Sequence, residues 1–304
     1  MNIRKSLFSG IFVPIITPFT FEGRIFEESI LSIFDYLHNH HIDKVWLMGS
    51  YGAFPLLSED ERKRIAEVAL KKAHQLNITV IVNVSSLYTD MATRLAHHAY
   101  DNGADGVASV VPFYYATSHY RTENIFHYFK AIVETTSLPV FFYNNEQATG
   151  YKPSYKFFKQ LIDIGVHGFK SKGDYIDMSA QLKTINKNSS KSVYLSGSTS
   201  VHLQGYLLGA DGVTSGVALA LPKLVTKLQK SLENNDIQSA LRFQNLVLEA
   251  RDIMGRYVGR AVACYDILQH KKVNMGTCRS PWLRMNSVQA KEVIEDLAEL
   301  ERLS

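Results

Sequence analysis

Short apolar runs separated by longer, charged amphipathic stretches set the pattern of this chain. The runs fall at Gly10–Thr17, Lys44–Gly49, Ile78–Val84, Gly106–Val111, Pro139–Tyr143, His167–Lys170, Val193–Ser196 and Gly212–Thr214. They lack the polar alternation of a strand with one wet face, so they predict strands covered on both sides, as in a buried parallel sheet. Between them, Glu59–Gln75, Asp90–Asn102, Glu123–Thr135 and Ser154–Ile164 read as amphipathic helices. Eight strand-then-helix units in a row predict an α/β fold, a (β/α)8 barrel rather than an open sheet.

Local signals mark the boundaries. Ser58 with Glu61 fits a capping box at a helix start. Gly103-Ala-Asp-Gly-Val107 recurs as Gly209-Ala-Asp-Gly-Val213, each time with a glycine ending a helix before a strand begins. Shared junction geometry explains the echo more simply than an internal repeat. The alternation stops near Leu232, after which Asn235–Met254, Val258–His270 and Ser287–Leu303 all predict helices. The expected organisation is a barrel over residues 1–234 and a small C-terminal helical domain over 235–304.

Composition narrows the function classes. At 304 residues, with 46% apolar and 20% charged content, the chain can bury a large core. Its formal charge of +4 is spread along the sequence without a basic stripe, which speaks against a nucleic-acid partner. Cys264 and Cys278 lack metal-ligand or redox spacing and read as reduced thiols of a cytosolic protein. Arg4 and Lys5 before the first apolar run faintly imitate a signal peptide, but Pro14 and Pro18 interrupt that run. No segment approaches the roughly 18 apolar residues of a membrane span. A soluble, cytoplasmic protein without a membrane partner is expected.

In such a barrel the strand ends and the loops after them form the active site. The sixth run ends at Lys170 and the fifth at Tyr143. A lysine buried there has its ammonium form disfavoured, and a neutral amine can attack a ketone to form a Schiff base. A phenol on the neighbouring strand would move the protons this chemistry requires. The competing reading is a lysine that only snorkels at a strand end. Gly49-Ser50-Tyr51-Gly52, after the second strand, offers free amides and a hydroxyl suited to a carboxylate. Thr214, ending strand eight, is placed to line the pocket.

The chain resembles the dihydrodipicolinate synthase / N-acetylneuraminate lyase family of class I, Schiff-base aldolases. The resemblance runs from Gly10-Ile-Phe-Val-Pro14 and Thr17-Pro-Phe19 through Gly49-Ser-Tyr-Gly52 with Leu57-Ser58, and Pro112-Phe-Tyr114. It continues with Tyr143-Asn144, Thr149-Gly150, Gly168-Phe-Lys170 before Gly173-Asp174, Ser196-Gly197 and Cys278-Arg-Ser-Pro281. It implies that Lys170 forms the imine, Tyr143 shuttles protons, and Ser50 helps hold the pyruvyl carboxylate. It further implies that Tyr114 reaches into a neighbouring subunit's site, in a homodimer or homotetramer, and that no metal or other cofactor is needed. The implied activity is a carbon–carbon lyase acting on pyruvate or a 2-oxo acid, such as a 2-oxo-3-deoxy sugar acid or a 4-hydroxy-2-oxo acid.

Departures from the family pattern bear on the substrate. Tyr51 stands where a small hydroxyl or amide residue is usual, and Ala53 where a glutamate is usual. Gly49-Ser-Tyr-Gly-Ala-Phe-Pro55 echoes some 2-oxoglutarate-forming or sugar-acid members. Ala148 replaces the arginine that clamps the second carboxylate in dihydrodipicolinate synthases, and a methyl group cannot stand in for a guanidinium. That argues against condensation of pyruvate with aspartate semialdehyde. Glu146 is open to three roles: binding substrate hydroxyls, acting as a base, or pairing with Lys172. The segment Lys170-Ser-Lys-Gly-Asp174 is one residue shorter than usual. Two further readings compete with the lyase. One is a metal-dependent aldolase, suggested by His38, His40 and His41 but placed at the wrong end of the barrel. The other is a non-catalytic barrel that only binds a 2-oxo acid.

Overall fold

A computed structural model of the chain describes residues 7–172, 175–189 and 192–303. Eight strands form a closed parallel barrel in sequence order: β1 (Gly10–Pro14), β2 (Lys44–Leu47), β3 (Thr79–Asn83), β4 (Gly106–Ser109), β5 (Val140–Asn144), β6 (Gly168–Ser171), β7 (Val193–Ser196) and β8 (Gly212–Thr214). A principal helix follows each strand: α1 (Glu27–Asn39), α2 (Glu59–Leu76), α3 (Thr89–Asp101), α4 (Thr122–Thr135), α5 (Tyr155–Asp163), α6 (Tyr175–Asn188), α7 (His202–Leu207) and α8 (Pro222–Glu233). The tail adds α9 (Ile237–Met254), α10 (Arg260–His270) and α11 (Ser287–Leu303). The expected (β/α)8 barrel with C-terminal helices is the observed fold.

Several strands stop short of their apolar runs, and for β2 the reason lies in the backbone. β2 ends at Leu47 because Met48 turns into the left-handed region, with φ 52°. The two Gly-Ala-Asp-Gly-Val junctions behave alike. Gly103 and Gly209 take φ values of 77° and 90°, and each following aspartate accepts a strand amide. Asp105 Oδ2 lies 2.7 Å from Val80 N, and Asp211 Oδ2 2.9 Å from Tyr194 N. The repeated sequence encodes a repeated joint.

Packing divides the chain into two units, one holding Thr79–Thr214 with the chain up to Gly10, the other Ile11–Ile78 with Ser215–Ser304. In the first, Phe142 on β5 meets Phe129 of α4 and Phe157 and Phe158 of α5, with ring centroids 5.1 to 6.0 Å apart. This aromatic layer seals the sheet against its helices. In the second, β1 pairs with β2, α1 packs on α2, α8 on α9, and α11 on both α9 and α10. Ser58 and Glu61 form the anticipated capping box at the start of α2.

Candidate active site

Parallel pairing sets Tyr143 beside Lys170 and Phe141 beside Gly168. Successive strand residues face opposite sides. Because Phe142 and Phe169 pack toward the helices, where Phe158 lies 5.4 Å from Phe169, Tyr143 and Lys170 point the other way, into the barrel. Gly168 makes room below them: a Cβ there would sit 2.2 Å from a ring carbon of Phe141. The Phe141 ring joins Phe8 and His167 in an edge-on cluster with centroids 5.0 to 5.9 Å apart. Rings thus pack beneath Lys170 and Tyr143.

This pair is dry. Lys170 is 4% exposed and Tyr143 2%. The Lys170 Nζ sits 3.9 Å from the centroid of the Tyr143 ring. Burial holds the amine well below the usual lysine range, and the positive charge of Lys172 pushes it the same way. β6 ends at Ser171, and Lys172 is exposed. An unprotonated amine at neutral pH is what nucleophilic addition to a carbonyl requires.

A polar network braces these strand ends on the helix side. Asn144 Nδ2 donates to Ser171 Oγ at 3.0 Å, and the Tyr194 hydroxyl donates to Gln181 Oε1 on α6 at 2.9 Å. Burial raises the Tyr194 phenol's pKa, an effect partly offset by a hydrogen bond with Ser171. The sequence signal for this brace was slight, since Gln181 is one polar residue in an amphipathic helix.

Beyond β5 the chain turns into a one-turn helix, Glu146–Thr149, ended by Gly150 at φ 68°. Glu146 and Ala148 are exposed there. Asn145, in contrast, is 3% exposed, and its Nδ2 lies 3.4 Å from the Tyr143 hydroxyl. Thr214, at the end of β8, is buried with no hydrogen-bond partner for its hydroxyl among the described residues. Tyr114 is 73% exposed, its ring edge-on to Tyr115 with centroids 4.8 Å apart. Gly173 and Asp174, and with them the shortened segment after Lys170, lie outside the described residues, as do Arg4 and Lys5.

The loop after β2 belongs to the second unit. Gly49 is buried and Ser50 exposed. Met48 and Ala53 both hold φ 52°, so two residues with side chains are kept in a left-handed conformation. The Tyr51 ring turns onto Gly216, where an added Cβ would meet its hydroxyl oxygen at 2.1 Å. Arg260, opening α10, hydrogen-bonds the same phenol. Burial raises the Tyr51 pKa and the Cys264 thiol adds to this, against the opposing pull of Arg260 and Arg251. Tyr265 donates to Thr17 O at 2.6 Å, and Thr17 Oγ1 donates to Gly52 O at 2.8 Å. Further on, Arg279 donates to Leu56 O at 2.8 Å and pairs with Glu61. Tail residues therefore hold this loop at several points, which sequence spacing did not reveal.

Among the described residues no group of three or more histidine, cysteine, aspartate or glutamate side chains is arranged to hold a metal ion. Cys264 and Cys278 are buried free thiols. No described helix is long and apolar enough to cross a membrane.

Residues 7–300 match the model of the Dihydrodipicolinate synthetase family. The chain belongs to this family. A 2-dehydro-3-deoxy-phosphogluconate/2-dehydro-3-deoxy-6-phosphogalactonate aldolase of Saccharolobus solfataricus is 31% identical over 81% of each chain. A 4-hydroxy-tetrahydrodipicolinate synthase of Protochlamydia amoebophila is 26% identical over 96% of each. The structure of YagE from Escherichia coli K12, a dihydrodipicolinic acid synthase family protein in complex with pyruvate, superposes with a TM-score of 0.90. It covers 97% of this chain and 99% of its own at 23% identity, a likeness of fold. Aldolases and synthases thus stand side by side among the family relatives.

Proposed function

We propose that this family member is a carbon–carbon lyase that handles pyruvate or a longer 2-oxo acid as an imine on Lys170. The observation that carries the reading is the buried, weakly basic Lys170 amine 3.9 Å from the Tyr143 ring. Its nitrogen lone pair adds to the C2 carbonyl, and loss of water leaves a cationic imine. When the C3–C4 bond breaks, the imine takes up the electron pair as an enamine. The C4 hydroxyl gives up its proton, and the aldehyde departs. Protonation at C3 and hydrolysis then return pyruvate and the free amine. Tyr143 is assigned the proton transfers to and from oxygen.

Of the remaining assignments, those of Ser50 and Tyr114 follow from the family resemblance, and those of Tyr51, Thr214 and Glu146 from their places in the chain. Gly49 and Ser50 hold the carboxylate of the 2-oxo acid, and Tyr51 supports that loop. Thr214 and Glu146 serve the aldehyde half. Tyr114 completes the site of a second copy in a homodimer or homotetramer, which fits an aromatic side chain left on the surface. The enzyme works without a metal, in the cytoplasm. Residues 235–304 are read as a helical domain added to the barrel of 1–234. A 2-oxo-3-deoxy sugar acid or 4-hydroxy-2-oxo acid is the favoured substrate, since Ala148 offers no charge to a second carboxylate and the 31% identical relative is named an aldolase of such acids.

The test is borohydride reduction in the presence of pyruvate, followed by peptide mass analysis. A stable adduct on Lys170 is expected. A folded protein without one would support a barrel that only binds its ligand. Release of pyruvate from a panel of 2-oxo acids then separates cleavage from condensation.

A further inference from the structure

We propose that Asn145 is a positioning and specificity residue, one corner of its amide holding the Tyr143 phenol and the other receiving a hydroxyl of the substrate's aldehyde half. The inference rests on the imine reading above and names what the site selects. Asn145 follows Tyr143 by two residues and is 3% exposed. Its main chain is pinned, because its carbonyl accepts from the amides of Ala148 and Thr149 and from the Thr149 hydroxyl, each at 3.0 Å. The buried side chain is therefore presented from a fixed main chain.

One corner of the amide meets Tyr143: Nδ2 lies 3.4 Å from the phenol oxygen. The other corner, Oδ1, is buried without a hydrogen-bond partner among the described residues. Buried polar atoms in folded proteins are nearly always matched, so an unmatched one on a side chain that touches the Tyr143 phenol awaits a ligand group. Turning the amide over exchanges the corners without changing the count: one still meets the phenol and one is still open. A hydroxyl both donates and accepts, and so satisfies the open corner in either orientation. A carboxylate can only accept, and no guanidinium stands at Ala148 to help hold one. The chemistry selected is therefore a hydroxylated aldehyde half.

The contact with Tyr143 has its own consequence. With Nδ2 donating to the phenol oxygen, the hydroxyl proton is directed away from Asn145 and toward the reacting atoms. Asn145 thereby orients the proton carrier while its own open corner reads the substrate.

Two substitutions in the full-length enzyme separate these roles. Asn145→Val removes both corners. Asn145→Asp keeps an acceptor for the substrate hydroxyl but cannot donate to the phenol, and its carboxylate would hold the phenol's proton instead. The readouts are the Lys170 adduct with pyruvate, deuterium exchange at C3 of pyruvate, and steady-state cleavage of two probes. The probes are 2-oxo-3-deoxygluconate and 4-hydroxy-2-oxopentanoate, which lacks the further hydroxyls. Asn145→Val should still yield the adduct, showing a folded site. It should lose about tenfold or more in kcat/KM on the sugar acid, chiefly in KM, with a much smaller loss on the shorter probe. Its C3 exchange should slow as well, because the imine that precedes exchange forms only after Tyr143 has moved a proton to the departing oxygen. Asn145→Asp should keep the discrimination between probes and slow the exchange. Unchanged discrimination and exchange in Asn145→Val overturn the proposal, as does equal loss on both probes in both variants. A wild-type enzyme that forms no adduct instead overturns the imine reading itself, so the two failures are told apart.

Discussion

The ends of β5 and β6 and the loop after β2 are built in opposite ways. At β5 and β6 the partners lie on consecutive strands: Asn144 and Ser171, 27 residues apart, share a hydrogen bond. Ring packing beneath, to which Phe8 also contributes, and a polar brace behind fix Lys170 and Tyr143. The Gly49–Gly52 loop is held from the far end of the chain. Tyr265 reaches Thr17 across 248 positions, and Arg279 reaches Leu56 across 223. The Lys170–Tyr143 pair rests mainly on pairing between consecutive strands, whereas the loop rests on the tail. Damage to the first should remove chemistry, and damage to the second should disturb geometry and stability.

The sharpest test of the first region is Lys170→Met, which keeps the volume and removes the amine. Imine trapping should vanish and turnover should fall by about three orders of magnitude or more. Stability should move the other way. A buried amine whose pKa is lowered must release its proton on folding, so the unfolded chain binds more protons and stability climbs with pH between the lowered folded value and the ordinary lysine value. Lys170→Met abolishes that slope, and its Tm at neutral pH should rise by about 2 °C or more. A Tm that falls while activity is lost would mark Lys170 as a structural residue.

For the loop, Gly216→Ala is the corresponding lesion. Its methyl would take the place of the Tyr51 hydroxyl, expelling the phenol and leaving the Arg260 guanidinium without it. We expect a loss of about tenfold to a hundredfold in kcat/KM, carried mainly by KM. Tyr51→Ser in the same chain should restore part of it by clearing the clash. Without such suppression, Tyr51 and Gly216 are not the coupled pair their contact implies.

How far each region could be read in advance follows from the same contrast. Lys170 and Tyr143 stand at the ends of apolar runs that period and composition identify, and the (β/α)8 rule turns strand ends into site residues. The capping box at Ser58 and the paired aspartates at 105 and 211 are equally local. Tyr51 was visible only as an oddity, because its explanation lies in Gly216 and Arg260, and no spacing rule links three residues so far apart. Asn145 went unread for a different reason. An asparagine beside a strand end is usually a turn residue, and only its burial sets it apart.

Arg279 tests whether the tail brace is structural. Its guanidinium holds both oxygens of Glu61 at 2.5 and 2.7 Å and also donates to Leu56 O and Gly23 O. Arg279→Ala should cost about 2–3 kcal/mol, since it leaves partly buried acceptors unmatched, and lower Tm by roughly 5 °C. The Glu61 carboxyl is held below the usual range by Arg279, so its share of this stability is present above the unfolded carboxylate pKa and fades as pH falls through the folded value. The gap between wild type and variant should therefore narrow in acid, and a gap that widens there would place the brace elsewhere.

The smallest effect returns to the first region. Lys172 is exposed, yet its charge helps lower the pKa of the Lys170 amine. Burial is the larger cause, so Lys172→Gln should leave the imine chemistry intact. Losing a nearby positive charge lets Lys170 hold its proton more readily, which moves the acid limb of the imine-formation rate toward higher pH. On that limb the rate should fall by about two- to fivefold, and at alkaline pH it should match wild type. A limb that stays fixed would mean the site owes its neutral lysine to burial alone. A limb that moved as far as the whole departure from an ordinary lysine would make the exposed Lys172 the dominant cause. Either outcome would redraw the comparison, because it decides whether the chemistry of Lys170 comes wholly from the buried interior or also from the chain that follows the strand.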